Sequence, residues 1–122
     1  MAPTGLTRAI LAALSLQTTQ AATLLASHFE GNVYTLTLTD SELSVTSQVE
    51  VGGMPSWLTL DTAGSTLYVT DESWLGGTKL SALSVGEDGE RTASAEVGTE
   101  GGEIHNCLFG GGDGEGFIAA PQ

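Results

Sequence analysis

Four short stretches of this chain return later in it, each after nearly the same distance. "TLLAS" at 23–27 comes back as "TLYVT" at 66–70, 43 residues on. Leu36 and Leu38 of "NVYTLTLT" are matched by Leu83 and Val85 of "LSALSV", 47 residues on. "GGMPSWLTL" at 52–60 returns as "GGEIHNCLF" after 49 residues, and "GSTLYVT", which begins at Gly64, returns as "GEGFIAA", which begins at Gly114, after 50. A period in the forties implies equivalent units that bury their apolar faces only against one another, which excludes most single-core folds.

Each repeated piece reads as a β-strand. In "NVYTLTLT" the residues Tyr34, Leu36 and Leu38 lie on one face of an extended strand, and Val33, Thr35 and Thr37 on the other. A helix would scatter the two sets. Gly, Asp and Ser clusters separate the runs, so about four strands fall within one period. That is the arithmetic of a propeller blade, and closed propellers have roughly 4–8 blades. The expected fold is therefore all-β, a partial β-propeller of about two four-stranded blades. Strands are expected at about 23–29, 33–39 and 43–51, then 56–60, 66–71, 79–85 and 91–97, followed by the first two strands of a third blade. On this count the first blade lacks its innermost strand, and the chain reads as the N-terminal part of a longer propeller. Leu36, Leu38, Leu58, Leu60, Leu67, Val69, Leu83, Val85 and Phe109 are expected within or between the sheets.

Residues 1–22 differ from the rest. Arg8 precedes the apolar run Ala9–Leu16, and Thr19-Gln20-Ala21 offers small residues where a signal peptidase reads, so this segment is expected to be a secretory signal peptide. The run is too short to span a bilayer as a helix. Residues 23–122 form the remaining domain, and secretion is the expected localisation, with the cytoplasm as the alternative.

Charge excludes whole classes of partner. Three Lys and Arg stand against fifteen Asp and Glu, a formal net charge of −12, so nucleic acid and an anionic membrane surface would be repelled. The single Cys107 can build neither an internal disulfide nor a cysteine-based zinc site. By its repeat match to Leu58 it is expected to be a small buried apolar residue. "GGGDGEG" lacks the Gly-Lys-Ser/Thr of a phosphate loop and the repeated Asp of a calcium-binding repeat, and reads as a turn between strands.

The combination "ASHFEGNVYTLTL", "PSWLTLD", "LYVTDE" followed by "SWLGG", and "GGEIH" before "GGDGEGFIA" resembles the start of fungal members of the seven-bladed lactonase family. That family includes 6-phosphogluconolactonases and carboxy-cis,cis-muconate cyclases. The resemblance covers nearly all of the chain after Ala22 but only about the first third of a family member. It implies hydrolase or isomerase chemistry in full-length relatives, lactone hydrolysis or muconate cycloisomerisation on a small lactone or organic acid, with no cofactor and no metal.

The resemblance makes Glu72 and His105 the candidate catalytic residues, Glu72 closing the strand "LYVTD" and His105 opening an innermost strand that faces the funnel. The plainer alternatives are a turn-capping carboxylate and a channel-mouth histidine in an ordinary hydrogen bond. His28, which holds in the first copy the position of Asp71 in the second, and Trp74 are the candidate substrate-binding residues, with rim structure as the alternative role for both. Trp57, in an inner strand, is expected to pack in the core or at the rim. Because only Arg8, Lys79 and Arg91 are cationic, the chain alone is expected to be inactive on anionic lactones and, with uncovered blade faces, to self-associate. A different class of function, a secreted non-catalytic segment that binds protein or carbohydrate, stays open.

Overall fold

Runs such as "TLYVTD" are too short for a stable helix and rich in β-branched and aromatic residues, and they pair as strands. The computed structural model describes residues 21–63, 65–74, 77–86, 90–110 and 116–121. Residues 1–20 of the expected signal peptide, most of the turn "GGGDGEG" and Gln122 lie outside the described residues, whereas Ala22, the last residue of that expected segment, opens the first strand. Three antiparallel sheets follow one another along the chain. The first joins β1 (Ala22–His28), β2 (Asn32–Leu38) and β3 (Leu43–Glu50) in that order. The second joins β4 (Pro55–Asp61), β5 (Thr66–Asp71), β6 (Lys79–Val85) and β7 (Arg91–Gly98). The third is the ribbon of β8 (Cys107–Phe109) and β9 (Phe117–Ala119).

Register carries the repeat into three dimensions. Leu24 pairs with Leu36 in the first sheet, and their counterparts Leu67 and Leu83 pair in the second. The β2–β3 ladder slips between Thr35 and Leu36, and the β6–β7 ladder slips between Ala82 and Leu83, 47 residues later. A bulge repeated at the same offset as the sequence match is a built feature of the unit. The exit from each blade is tied alike: Val51 N–H donates to Gly31 O at 2.8 Å, and Thr99 N–H donates to Thr78 O at 3.0 Å.

The core lies between the first and second sheets. Val33, Val51, Leu67, Val69 and Leu83 are buried together, with Leu25, Val49 and Leu58 packed against them. The consequence is an asymmetry between equivalent positions, since Leu67 is 0% exposed and its counterpart Leu24 is 42% exposed. In β2 the buried residues are Val33 and Thr35, which face the second sheet, whereas Leu36 is half-buried and Leu38 exposed. Position in the stack, rather than hydrophobicity, decides which face of a blade is covered.

Gly31 shows how closely the segment leaving β3 passes the β1–β2 turn. It has φ of 99°, and a Cβ added there would overlap the Gly52 carbonyl oxygen. Gly31→Ala is expected to cost at least about 2 kcal/mol, backbone strain and displacement of the Gly52 peptide together. Gly77, with φ of 78° and open space around it, isolates the strain alone. Urea midpoints should therefore fall further for Gly31→Ala than for Gly77→Ala, and equal shifts would contradict the close approach.

The third sheet corrects one expectation. Cys107 is exposed. Leu108, its neighbour, is half-buried and pairs with Ile118, which lines a cleft of about 140 Å³ with Tyr68, Leu80, Ala82, Ala95 and Val97 of the second sheet. Leu108 is thus the structural counterpart of Leu58. Side chains alternate along a strand, so a one-residue error in the repeat offset moves Cys107 to the opposite face.

Candidate functional site

Antiparallel pairing brings the end of β1, the end of β5, the β5–β6 loop and the segment before β8 to one end of the sheets. All four candidate residues, His28, Glu72, Trp74 and His105, therefore lie along one rim.

Asp71, at the end of β5, is the group that builds this rim. It is 3% exposed, and its carboxylate accepts three backbone hydrogen bonds: Gly53 N–H to Oδ2 at 2.9 Å, Met54 N–H to Oδ1 at 2.9 Å and Ser73 N–H to Oδ1 at 3.0 Å. One side chain thereby fixes both the entry to β4 and the exit from β5. Glu72 follows immediately, and alternation turns it the other way. Its N–H donates to Met54 O at 3.0 Å, while its half-buried carboxylate has no hydrogen bond or ion pair among the described residues.

His105 is held from both sides through its neighbours. Ser56 Oγ donates to Ile104 O at 3.4 Å, Thr59 Oγ1 donates to Asn106 O at 3.0 Å, and Asn106 Nδ2 donates to Thr70 Oγ1 at 2.6 Å. Upstream, the buried Glu103 accepts from Thr99 Oγ1 at 2.8 Å. The imidazole meets Trp57 edge-on, with ring centroids 5.9 Å apart and planes at 73°. Trp57 is 48% exposed, so it packs at the rim and not in the core. Asn106 Oδ1 is buried and has no hydrogen-bond partner among the described residues.

The structure does not bring all the candidates together. No hydrogen bond or ion pair joins Glu72 to His105. His28 is exposed and engages its own turn, its Nδ1 accepting from Glu30 N–H at 3.2 Å. It shares a repeat position with Asp71 but not its role. Trp74 is 81% exposed, so rim packing does not account for it. Sequence reasoning named neither Asp71 nor Asn106 as functional. The available signal was the placement of "TD" at the end of β5 beside the "GGMP" turn, where a short carboxylate meets free backbone N–H groups.

Cations are scarce at this rim. Lys79 Nζ binds Glu96 Oε1 at 2.6 Å. Arg91 begins β7 at the opposite end, where burial lowers its pKa. Exposed Glu30, Glu50 and Glu100 add negative charge at the rim end. Among the described residues no three His, Cys, Asp or Glu side chains are grouped to hold a metal ion, and no helix is long and apolar enough to cross a membrane.

Comparison with known families agrees with this architecture. The family model described as "Lactonase, 7-bladed beta-propeller" matches residues 20–121. Neither the curated proteins nor the solved structures yield a match. The repeated antiparallel blades, the core between them and a match over nearly the whole chain lead to one conclusion: this chain belongs to the seven-bladed β-propeller lactonase family.

Proposed function

We propose that these blades are the opening part of a fungal-type lactonase propeller, related to 6-phosphogluconolactonases and carboxy-cis,cis-muconate cyclases, and that alone they turn over no lactone. In the full ring Glu72 and His105 face a shared polar funnel. There a general base takes a proton from water as its oxygen attacks the lactone carbonyl, and the ring oxygen leaves with a proton from a general acid. Cycloisomerisation runs related proton transfers on a muconate. Both reactions need a positive group to hold the substrate carboxylate or phosphate.

One observation carries the proposal. Lys79, the rim's described cation, is tied to Glu96 at 2.6 Å, and the neighbouring carboxylates repel an anionic substrate. The purified chain assayed on δ-lactones beside a complete seven-bladed relative should show no rate above buffer. Turnover that His105→Ala or Glu72→Ala abolishes would contradict the proposal and place a working site in these blades. A non-catalytic role in binding carbohydrate is favoured by Trp74, whose exposed ring offers a stacking face. Saturable quenching of tryptophan fluorescence by an oligosaccharide, lost in Trp74→Ala, would support that second reading.

A further inference from the structure

We propose that Trp57 is the positioning residue of His105: its indole, carried by the second sheet, holds the plane of an imidazole carried by the segment that opens the third. The inference rests on the reading of His105 as a funnel-facing proton carrier and deepens it.

Alternation along β4 decides which side chains meet the third sheet. Leu58 packs against the core between the first and second sheets, so Trp57 and Thr59 turn the opposite way. Thr59 shows where that side leads, because its Oγ1 donates to Asn106 O at 3.0 Å. One residue earlier the alternation breaks. The β4–β5 register shifts between Pro55 and Trp57, and Ser56 Oγ also reaches the third blade, at Ile104 O, 3.4 Å away. A bulge re-aims a side chain in this way. Ser56, Trp57 and Thr59 therefore act together on three consecutive residues, Ile104, His105 and Asn106.

These contacts divide between backbone and ring. Ser56 and Thr59 bind the carbonyls of the residues on either side of His105, and Asn106 Nδ2 donates to Thr70 Oγ1 at 2.6 Å. Together they fix the backbone and leave the imidazole free to turn. Its χ2 torsion has a broad well, so a further contact is needed to aim the ring nitrogens. Trp57 supplies it, with ring centroids 5.9 Å apart and planes at 73°. An edge-to-face pair is directional and favours this crossing over a parallel one. The indole is no member of the buried core cluster, so core packing does not account for it. For a proton carrier the aim of the ring matters, since a misplacement of about 1 Å can cost roughly 100-fold in rate.

The test uses the full chain and needs no turnover. Nuclear magnetic resonance in alkaline buffer, where imidazoles are neutral, compares His105 with His28, an internal reference that is exposed and bonded only within its own turn. The ring protons of His105 should be displaced from those of His28 by the indole ring current, and its Hα–Hβ couplings should be those of one rotamer. Trp57→Leu keeps an apolar side chain without a ring. It should abolish the displacement and lower the ratio of that rotamer to the others about 2- to 10-fold. Trp57→Phe should restore most of both signals. Couplings unchanged in Trp57→Leu, or already averaged in the parent, would overturn the positioning role. If Trp57→Leu fails to fold, His105→Ala decides through the other ring: the indole proton shifts of Trp57 should move, and unmoved shifts would overturn the pair. Turnover of lactones by the chain would sink the functional reading without altering these couplings, whereas averaged couplings would remove the role of Trp57 and leave the lactone assay as it stands.

Discussion

Leu83→Ala should cost about 2–5 kcal/mol, while the same truncation at its repeat counterpart Leu36 should cost clearly less. Leu83 is 0% exposed, set between two sheets in a cluster with Val33, Val51, Leu67 and Val69. Removing its isobutyl group leaves a cavity that paired strands cannot readily collapse to fill. Leu36 pairs with Leu24 as Leu83 pairs with Leu67, but among the described residues it faces no further sheet, and it is only half-buried. Leu67 and Leu24 form a second matched pair, and Leu24→Ala should cost under about 1 kcal/mol. Urea unfolding followed by far-UV circular dichroism measures all four. Equal losses within each pair would mean that the blades do not pack in the order described.

Asp71→Ala should be nearly as damaging, at about 2–4 kcal/mol, for a polar reason. The carboxylate accepts from three backbone N–H groups, at 2.9, 2.9 and 3.0 Å, and is almost wholly buried. Without it those donors lose charge-assisted bonds, and the half-buried ones find water only in part. Asp71→Asn keeps the shape but turns one acceptor oxygen into a donor, so it should fall between alanine and the parent. Against a stability of only ~5–15 kcal/mol for an ordinary domain, the alanine variant should show a much lower urea midpoint. His28→Ala at the equivalent position in the first blade should change little, because His28 is exposed and bonds only within its own turn.

The fold was legible because strands and repeats reinforce one another. Leu24, Leu36, Leu67 and Leu83 could be matched by eye at offsets of 43 and 47, and the ladders pair each set as the repeat demands. The third blade was harder. Its strands are three residues long, and over so short a run an offset of 49 cannot be told from 50. That single step reversed the exposure of Cys107. The rim was legible in part: His28, Glu72, Trp74 and His105 do share one end of the sheets. Their individual roles were not, because those depend on contacts between residues far apart in sequence. Asn106 meets Thr70 across 36 residues, and Asp71 reaches back 17 and 18 residues to Met54 and Gly53. Periodicity reports which face a residue occupies but not which partner waits there.

Successive blades of this chain stack with the far face of the first on the near face of the second. Methyl nuclear Overhauser spectra of the folded chain, at a concentration where it is monomeric, test it most directly. Cross-peaks are expected from Val33 and Val51 to Leu67, Val69 and Leu83, with none from Leu24 to that cluster. A folded sample in which Leu24 contacts Leu67 or Leu83, and Val33 contacts neither, would contradict it.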